Sequence, residues 1–145
     1  MIRSNLHLDD CTLNEAIKSF YNDNTFTKNL GIISDKVDDN TTVTKLDIKH
    51  CHTNVYNIAH GGVMMSLADT AIGAACLRLN KRVVTLDFNI NMLKAVPQGD
   101  TITAKTQVIH NGKQTIVVEC AISDNTDRLC CKSRATMFVL GEFQK

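Results

Sequence analysis

From residue 62 to residue 77 the chain reads GVMMSLADTAIGAACL, a run in which Asp69 is the only charge and Ser66 and Thr70 are the only other polar side chains. Helical spacing puts Gly62, Ser66, Asp69, Thr70 and Gly73 on one stripe, because positions three and four apart share a face. The remaining faces are apolar, so a helix built from this run must be covered on more than one side. An ionised carboxylate in such surroundings is expensive to bury unless it is paired or used. Asp69 is therefore the first candidate for chemistry. His60-Gly61-Gly62 lead into the run. Small residues at a helix start leave the first N–H groups bare, and the helix dipole there favours developing negative charge. A base two turns into such a helix suits attack on a carbonyl.

Upstream, Asp9-Asp10 and Thr12-Leu13-Asn14-Glu15 predict a capped helix start, and Leu13, Ile17 and Phe20 or Tyr21 form one apolar stripe. A short helix over about 11–22 follows. Residues 30–37 and 41–50 read as strands around the turn Asp38-Asp39-Asn40, and 51–61 are irregular. The apolar helix runs over about 62–79 and ends near Asn80, a residue that tolerates the left-handed cap. Beyond it, 83–92 alternate apolar and polar residues, and Pro97-Gln98-Gly99-Asp100 is a turn by composition. Strands over 101–110 and 113–123 flank Asn111-Gly112, a strong hairpin signal. A turn at 124–127 leads to a last strand over 129–140. The order predicts one α+β domain over 1–145, a long central helix packed on a curved antiparallel sheet with a short N-terminal helix. One sheet covers one side of that helix, and a second subunit is the simplest cover for the rest.

Net charge is +1, and Lys45, Lys49, Lys81, Arg82, Lys94, Lys105, Lys113, Lys132 and Arg134 are scattered. That pattern, with no Trp and one Pro, argues against a nucleic-acid surface. MIRSNLHLDD lacks the apolar centre of a signal peptide, and the longest apolar run is too short and polar to span a bilayer. A soluble, cytoplasmic protein with no membrane or nucleic-acid partner is expected. Cys11, Cys51, Cys76, Cys120, Cys130 and Cys131 form no C-x-x-C pair. In a strand, Cys130 and Cys131 would point to opposite faces, and His50-Cys51-His52 would leave only the two histidines together. No metal or cofactor is expected, and the cysteines read as reduced, mostly buried thiols.

Taken together, NTFTKNLGI, HTNVYNIAHGGVMMSLADTA, VTLDFNINMLKAV, the PQGD turn and the NGK hairpin resemble the hotdog-fold acyl-CoA thioesterases related to phenylacetyl-CoA thioesterases. The resemblance covers roughly residues 23–141. It implies a helix wrapped by an antiparallel sheet, and dimers whose sheets join side by side and often pair into tetramers. It also implies an acyl-CoA substrate held between the helix of one subunit and the loop before the helix of the other. By position, Asp69 would be the general base or nucleophile, and the Gly61 N–H would polarise the thioester carbonyl. Asn54 would orient substrate or attacking water, and Thr85 would take the place of a hydroxyl that helps hold the water. A thiolate leaves readily near neutral pH, so one base, one oxyanion donor and a positioned water suffice. No G-x-S-x-G elbow is present.

His60 is either a catalytic histidine or, preferably, a brace that bonds the backbone at the helix start. Gly62, Met65 and Ser66 are candidates for substrate contact, with Met64 and Leu67 as further pocket lining. Lys81, Arg82, Lys94 and Arg134 are candidates for the CoA phosphates. Asn57 stands where relatives often carry Gly, and Asn tolerates positive φ best among non-glycine residues, so the loop should keep its shape. Two other readings compete. A non-catalytic acyl-CoA-binding hotdog module would gain nothing from the retained acid. A hotdog dehydratase would need a catalytic His and an acid in a different motif.

Overall fold

The computed structural model describes residues 10–37 and 41–143. The chain runs α1 (Asp10–Asn22), α2 (Thr25–Leu30), β1 (Ile33–Val37), β2 (Thr42–Asp47), a 3-10 turn (His50–His52) and α3 (Gly61–Arg78). Four strands follow, β3 (Lys81–Met92), β4 (Thr101–Asn111), β5 (Thr115–Ser123) and β6 (Leu129–Glu142). Leu13 and Ile17 of α1 bury against Val37, Ala74 and Leu77, as their spacing requires. The side chains expected to cap α1, from Asp9 to Thr12, and the turn at 38–40 lie outside the described residues. The six residues of α2 come where a loop was expected. Asn24 accepts a bond from the Thr27 N–H at one end, and Gly31, at φ +81°, closes the other. This helix shortens the next strand, which begins at Ile33 rather than residue 30.

The six strands form one antiparallel sheet in the order β1-β2-β4-β5-β6-β3. The sheet wraps α3, whose Leu67, Ala68, Ala71 and Ile72 pack against Leu46, Ile102, Val118 and Ile122. The second cover for α3 comes in part from this same chain: α1 lies over Ala74 and Leu77. Only the first half of α3 is left open, at Gly62, Met65 and Asp69. The helix ends as expected, with Asn80 at φ +61°.

Cys130 and Cys131 are both buried, as expected of the thiols, and Leu93 and Lys94 donate their N–H groups to Cys130 O. Two local expectations are corrected. β4 runs through Asn111 and β5 starts at Thr115, with Gly112 N–H bonding Thr115 O at 2.9 Å, so the loop is longer than a two-residue turn. The second concerns β3. Plain alternation puts Val84, Leu86 and Phe88 on one face. A bulge between Thr85 and Asp87 breaks that phase. Val83 and Thr85 pair with Val139 and Met137, while Phe88 pairs with buried Ala135. Thr85 is thereby turned toward α3, and Val84 and Leu86 are left 48% and 64% exposed on the outer edge.

Candidate active site

Asp69 projects from the exposed face of α3 into an open cavity of about 820 Å³. It is not buried in the single chain, so the desolvation cost that singled it out in the sequence does not arise there. Its partner is Thr85, whose Oγ1 donates to Asp69 Oδ1 at 2.7 Å across the gap between α3 and β3. The bulge after Thr85 is what brings the hydroxyl to this side. Ser66, Thr70 and Gly73 line the same cavity beside Met65, so the small-residue stripe faces one space except at Gly62, which lines neither cavity. The hydroxyls on it are committed to the helix, however. Ser66 Oγ donates to Gly62 O at 2.8 Å and Thr70 Oγ1 to Ser66 O at 2.7 Å.

At the start of α3, His60 is the N-cap: its Nδ1 accepts from the Gly62 N–H at 2.9 Å. That geometry carries the bracing reading of His60 and takes up the Gly62 N–H. The Gly61 N–H has no hydrogen-bond partner among the described residues. Gly61 lines a second cavity of about 320 Å³, together with Asn54, Met64, Met92 and Lys94. Asn54 Oδ1 accepts from Tyr56 N–H at 2.9 Å, and its own N–H bonds Ile58 O at 2.8 Å, which folds the loop back toward α3. Asn57 takes φ +60° in that loop, the conformation expected of it. Asp69 and Gly61 stand two turns apart on one helix, a rise of about 12 Å. They open into different cavities, so one chain alone does not aim them at a common atom.

The four basic candidates separate cleanly. Lys81 Nζ donates to Asn111 Oδ1 and Gly112 O, and Arg134 pairs with Glu119 at 2.6 Å. Arg82 lines the larger cavity while its Nε donates to Glu142 O at 3.0 Å, and Lys94 lines the smaller one. His52 is buried and structural: its Nδ1 accepts from Lys49 N–H at 2.9 Å and its Nε2 donates to Leu30 O at 2.6 Å. Among the described residues no cluster of three metal-ligating side chains forms. Phe20, Tyr21 and Phe143, read from the sequence as core or not read at all, also line the larger cavity. The only signal for Phe20 and Tyr21 was the apolar stripe of α1, which does not tell a core face from a pocket wall, and Phe143 carried none. Among the described residues no helix is long and apolar enough to cross a membrane.

Comparison with known proteins points one way. Residues 56–131 match the thioesterase superfamily. The acyl-coenzyme A thioesterase PaaI of Escherichia coli is 31% identical over 123 residues, 85% of this chain and 88% of that one. Its structure superposes with a TM-score of 0.85 at 29% identity, covering 94% of this chain and 97% of that one. A 1,4-dihydroxy-2-naphthoyl-CoA hydrolase of Listeria monocytogenes is 36% identical over 113 residues, 76% of this chain and 91% of that protein. A hypothetical thioesterase protein of Streptococcus pneumoniae, solved with coenzyme A, is 33% identical at a TM-score of 0.74, covering 77% of this chain and 90% of that one. The pneumococcal thioesterase has also been solved with an aspartate and, separately, a threonine replaced by alanine, at the separation that divides Asp69 from Thr85 here.

Proposed function

This chain belongs to the thioesterase superfamily and has its hotdog fold, and on that premise we propose that it hydrolyses acyl-CoA thioesters, aryl-acyl-CoA among them, to the free acid and CoA. The observation that carries the reading is the Thr85–Asp69 bond at an open cavity. Thr85 engages Oδ1 and leaves Oδ2 to take a proton from water. That water attacks the thioester carbonyl carbon, and the oxyanion forms against the bare Gly61 N–H at the positive end of α3. The C–S bond then breaks, and the proton on Asp69 goes to the departing thiolate. Asn54 uses its Oδ1 to hold its own loop, so what it offers a substrate or water is Nδ2. Arg82 and Lys94, one in each cavity, are the cations left for the CoA phosphates.

Asp69 and Gly61 need a second copy to meet. Joining β3 edges side by side would set the Asp69 cavity of one copy against the Gly61 loop of its partner. A homodimer, or a pair of dimers, of single-domain chains is the assembly this reading requires. The described cysteines Cys51, Cys76, Cys120, Cys130 and Cys131 are free thiols, which fits a reducing compartment such as the cytoplasm.

The test is thiol release from phenylacetyl-CoA and a series of aliphatic acyl-CoAs, with wild type beside Asp69→Asn. Turnover that falls about a hundredfold in the variant is the size expected of a general base. No turnover on any thioester, with acyl-CoA binding unchanged by the substitution, would overturn the hydrolase and leave a binding module.

A further inference from the structure

The cavity that Asp69 opens does not end at the carboxylate. Its wall continues along α3 to Gly73 and Leu77, with Phe20 and Tyr21 of α1 beside them. Gly73 lies one helical turn beyond Asp69, about 6 Å along the axis. A Cβ on Gly73 would overlap Tyr21 Oη, so glycine is the residue that lets the phenol come to rest against α3. The ring is held from behind as well. Phe20 meets it edge to face at 5.5 Å, and Phe143 meets Phe20 at 5.9 Å. The end of α1 is pinned in turn, since Tyr21 O accepts from Asn24 N–H and from Thr27 Oγ1. A flexible side chain would yield to a longer substrate; a ring clamped at both ends does not.

We propose that Tyr21 is a specificity-determining residue that ends the acyl pocket, so that the site takes short or ring-sized acyl groups and turns away long unbranched ones. The inference rests on the thioesterase reading above. With the carbonyl carbon at Asp69 and the acyl group lying along α3, about one turn of helix separates the reacting atom from the phenol, room for one aromatic ring or a short chain. Burial, then the neighbouring Cys76 and Asp69, hold the phenol proton on well above its ordinary range. The wall therefore stays neutral through the working pH range, and its selection is by size.

The experiment measures kcat/KM for butanoyl-, phenylacetyl- and decanoyl-CoA with wild type, Tyr21→Ala and Tyr21→Phe. Wild type should favour the first two substrates. Tyr21→Ala should raise the decanoyl-to-phenylacetyl ratio about tenfold or more while Tyr21→Phe stays within about twofold, since a single methylene already discriminates by at least about tenfold in an apolar pocket. If Tyr21→Ala does not fold, Tyr21→Leu carries the same expectation. A wild type that already prefers decanoyl-CoA overturns the proposal. So does an alanine or leucine variant whose ratio does not move, or a phenylalanine variant that moves as far as alanine. Each of those results leaves the hydrolase standing, whereas no turnover on any thioester overturns both.

Discussion

Thr85 donates a hydrogen bond to one oxygen of Asp69, and in the proposed mechanism this contact divides the work between the two carboxylate oxygens. A hydrogen bond to a charged group contributes about 1.5–3 kcal/mol, so Thr85→Val should lower kcat roughly ten- to a hundredfold, with Thr85→Ser recovering most of it. Steady-state kinetics on the best thioester checks this, and a valine variant at wild-type rate would remove Thr85 from the site. His60 makes the opposite forecast. As an N-cap its loss to alanine should cost about 1 kcal/mol of stability, and His60→Asn should restore both stability and activity. A catalytic histidine would not be replaced by asparagine, so thermal melts beside kcat decide between the two. The placement of Asp69 and His60 was legible in the sequence because its signal is local: a lone acid in an apolar helix, and a polar residue at its first turn. The free Gly61 N–H was legible for the same reason. Asp69's exposure was not, since a periodic pattern says which face a residue shares but not what covers that face.

Elements fail to be legible where the chain breaks its own period. In β3 the alternation of Val84, Leu86, Phe88 and Ile90 is intact in the sequence, yet the bulge at Leu86 shifts Thr85 onto the helix face. Nothing local marks that residue as the extra one. It is legible only from the partner strand, whose Met137 and Ala135 must both face the core. The α2 helix was missed for its six-residue length, and α3 and the β4–β5 hairpin were found because both carry strong signals over their own span. The turn between β5 and β6 was read as a turn, but its strength comes from Asp124. That buried carboxylate accepts from Thr126 N–H and Oγ1 and from Arg128 N–H, and pairs with the Arg128 guanidinium at 2.9 Å. The Thr126 hydroxyl first, with the backbone and Arg128 bonds behind it, holds the carboxyl well below the usual carboxylate range. A carboxyl depressed in the folded state contributes stability that is complete above its unfolded value, about 3.9, and is lost as pH falls below that toward the folded one. Asp124→Asn should therefore unfold more easily than wild type at pH 7. Denaturant titrations from pH 7 down to pH 2 should show the gap closing below about pH 4. A gap that stays constant with pH would mean the charge contributes nothing.

At the scale of the whole molecule, the proposed reading makes the chain half of a device. Among the described residues β3, twelve residues long, pairs only with β6 and exposes Val84 and Leu86 along its other edge. Edges of that length and apolar character pair with another strand, and a second copy of the same edge is the partner a two-fold axis provides. The same axis would resolve the division of the site, since Asp69 and the Gly61 loop open into separate cavities within one chain. A shared site has a consequence that no single-chain site has. Asp69→Asn removes the base from one half, and Asn54→Ala loosens the loop that aims Gly61 in the other, so each variant alone should be nearly inactive. When the two are co-expressed, every mixed dimer holds one site with both defects and one with neither. Random pairing makes half the dimers mixed, so activity should return to about a quarter of the wild-type level. Leu86→Lys, on the exposed edge and outside the lining of both cavities, should shift the protein to monomer by light scattering and abolish turnover together. Recovery by mixing with a dimer-sized particle would establish that the reacting groups come from two chains. No recovery, in a mixture proven to contain mixed dimers, would put the complete site within one chain and require the Gly61 loop to move toward its own Asp69.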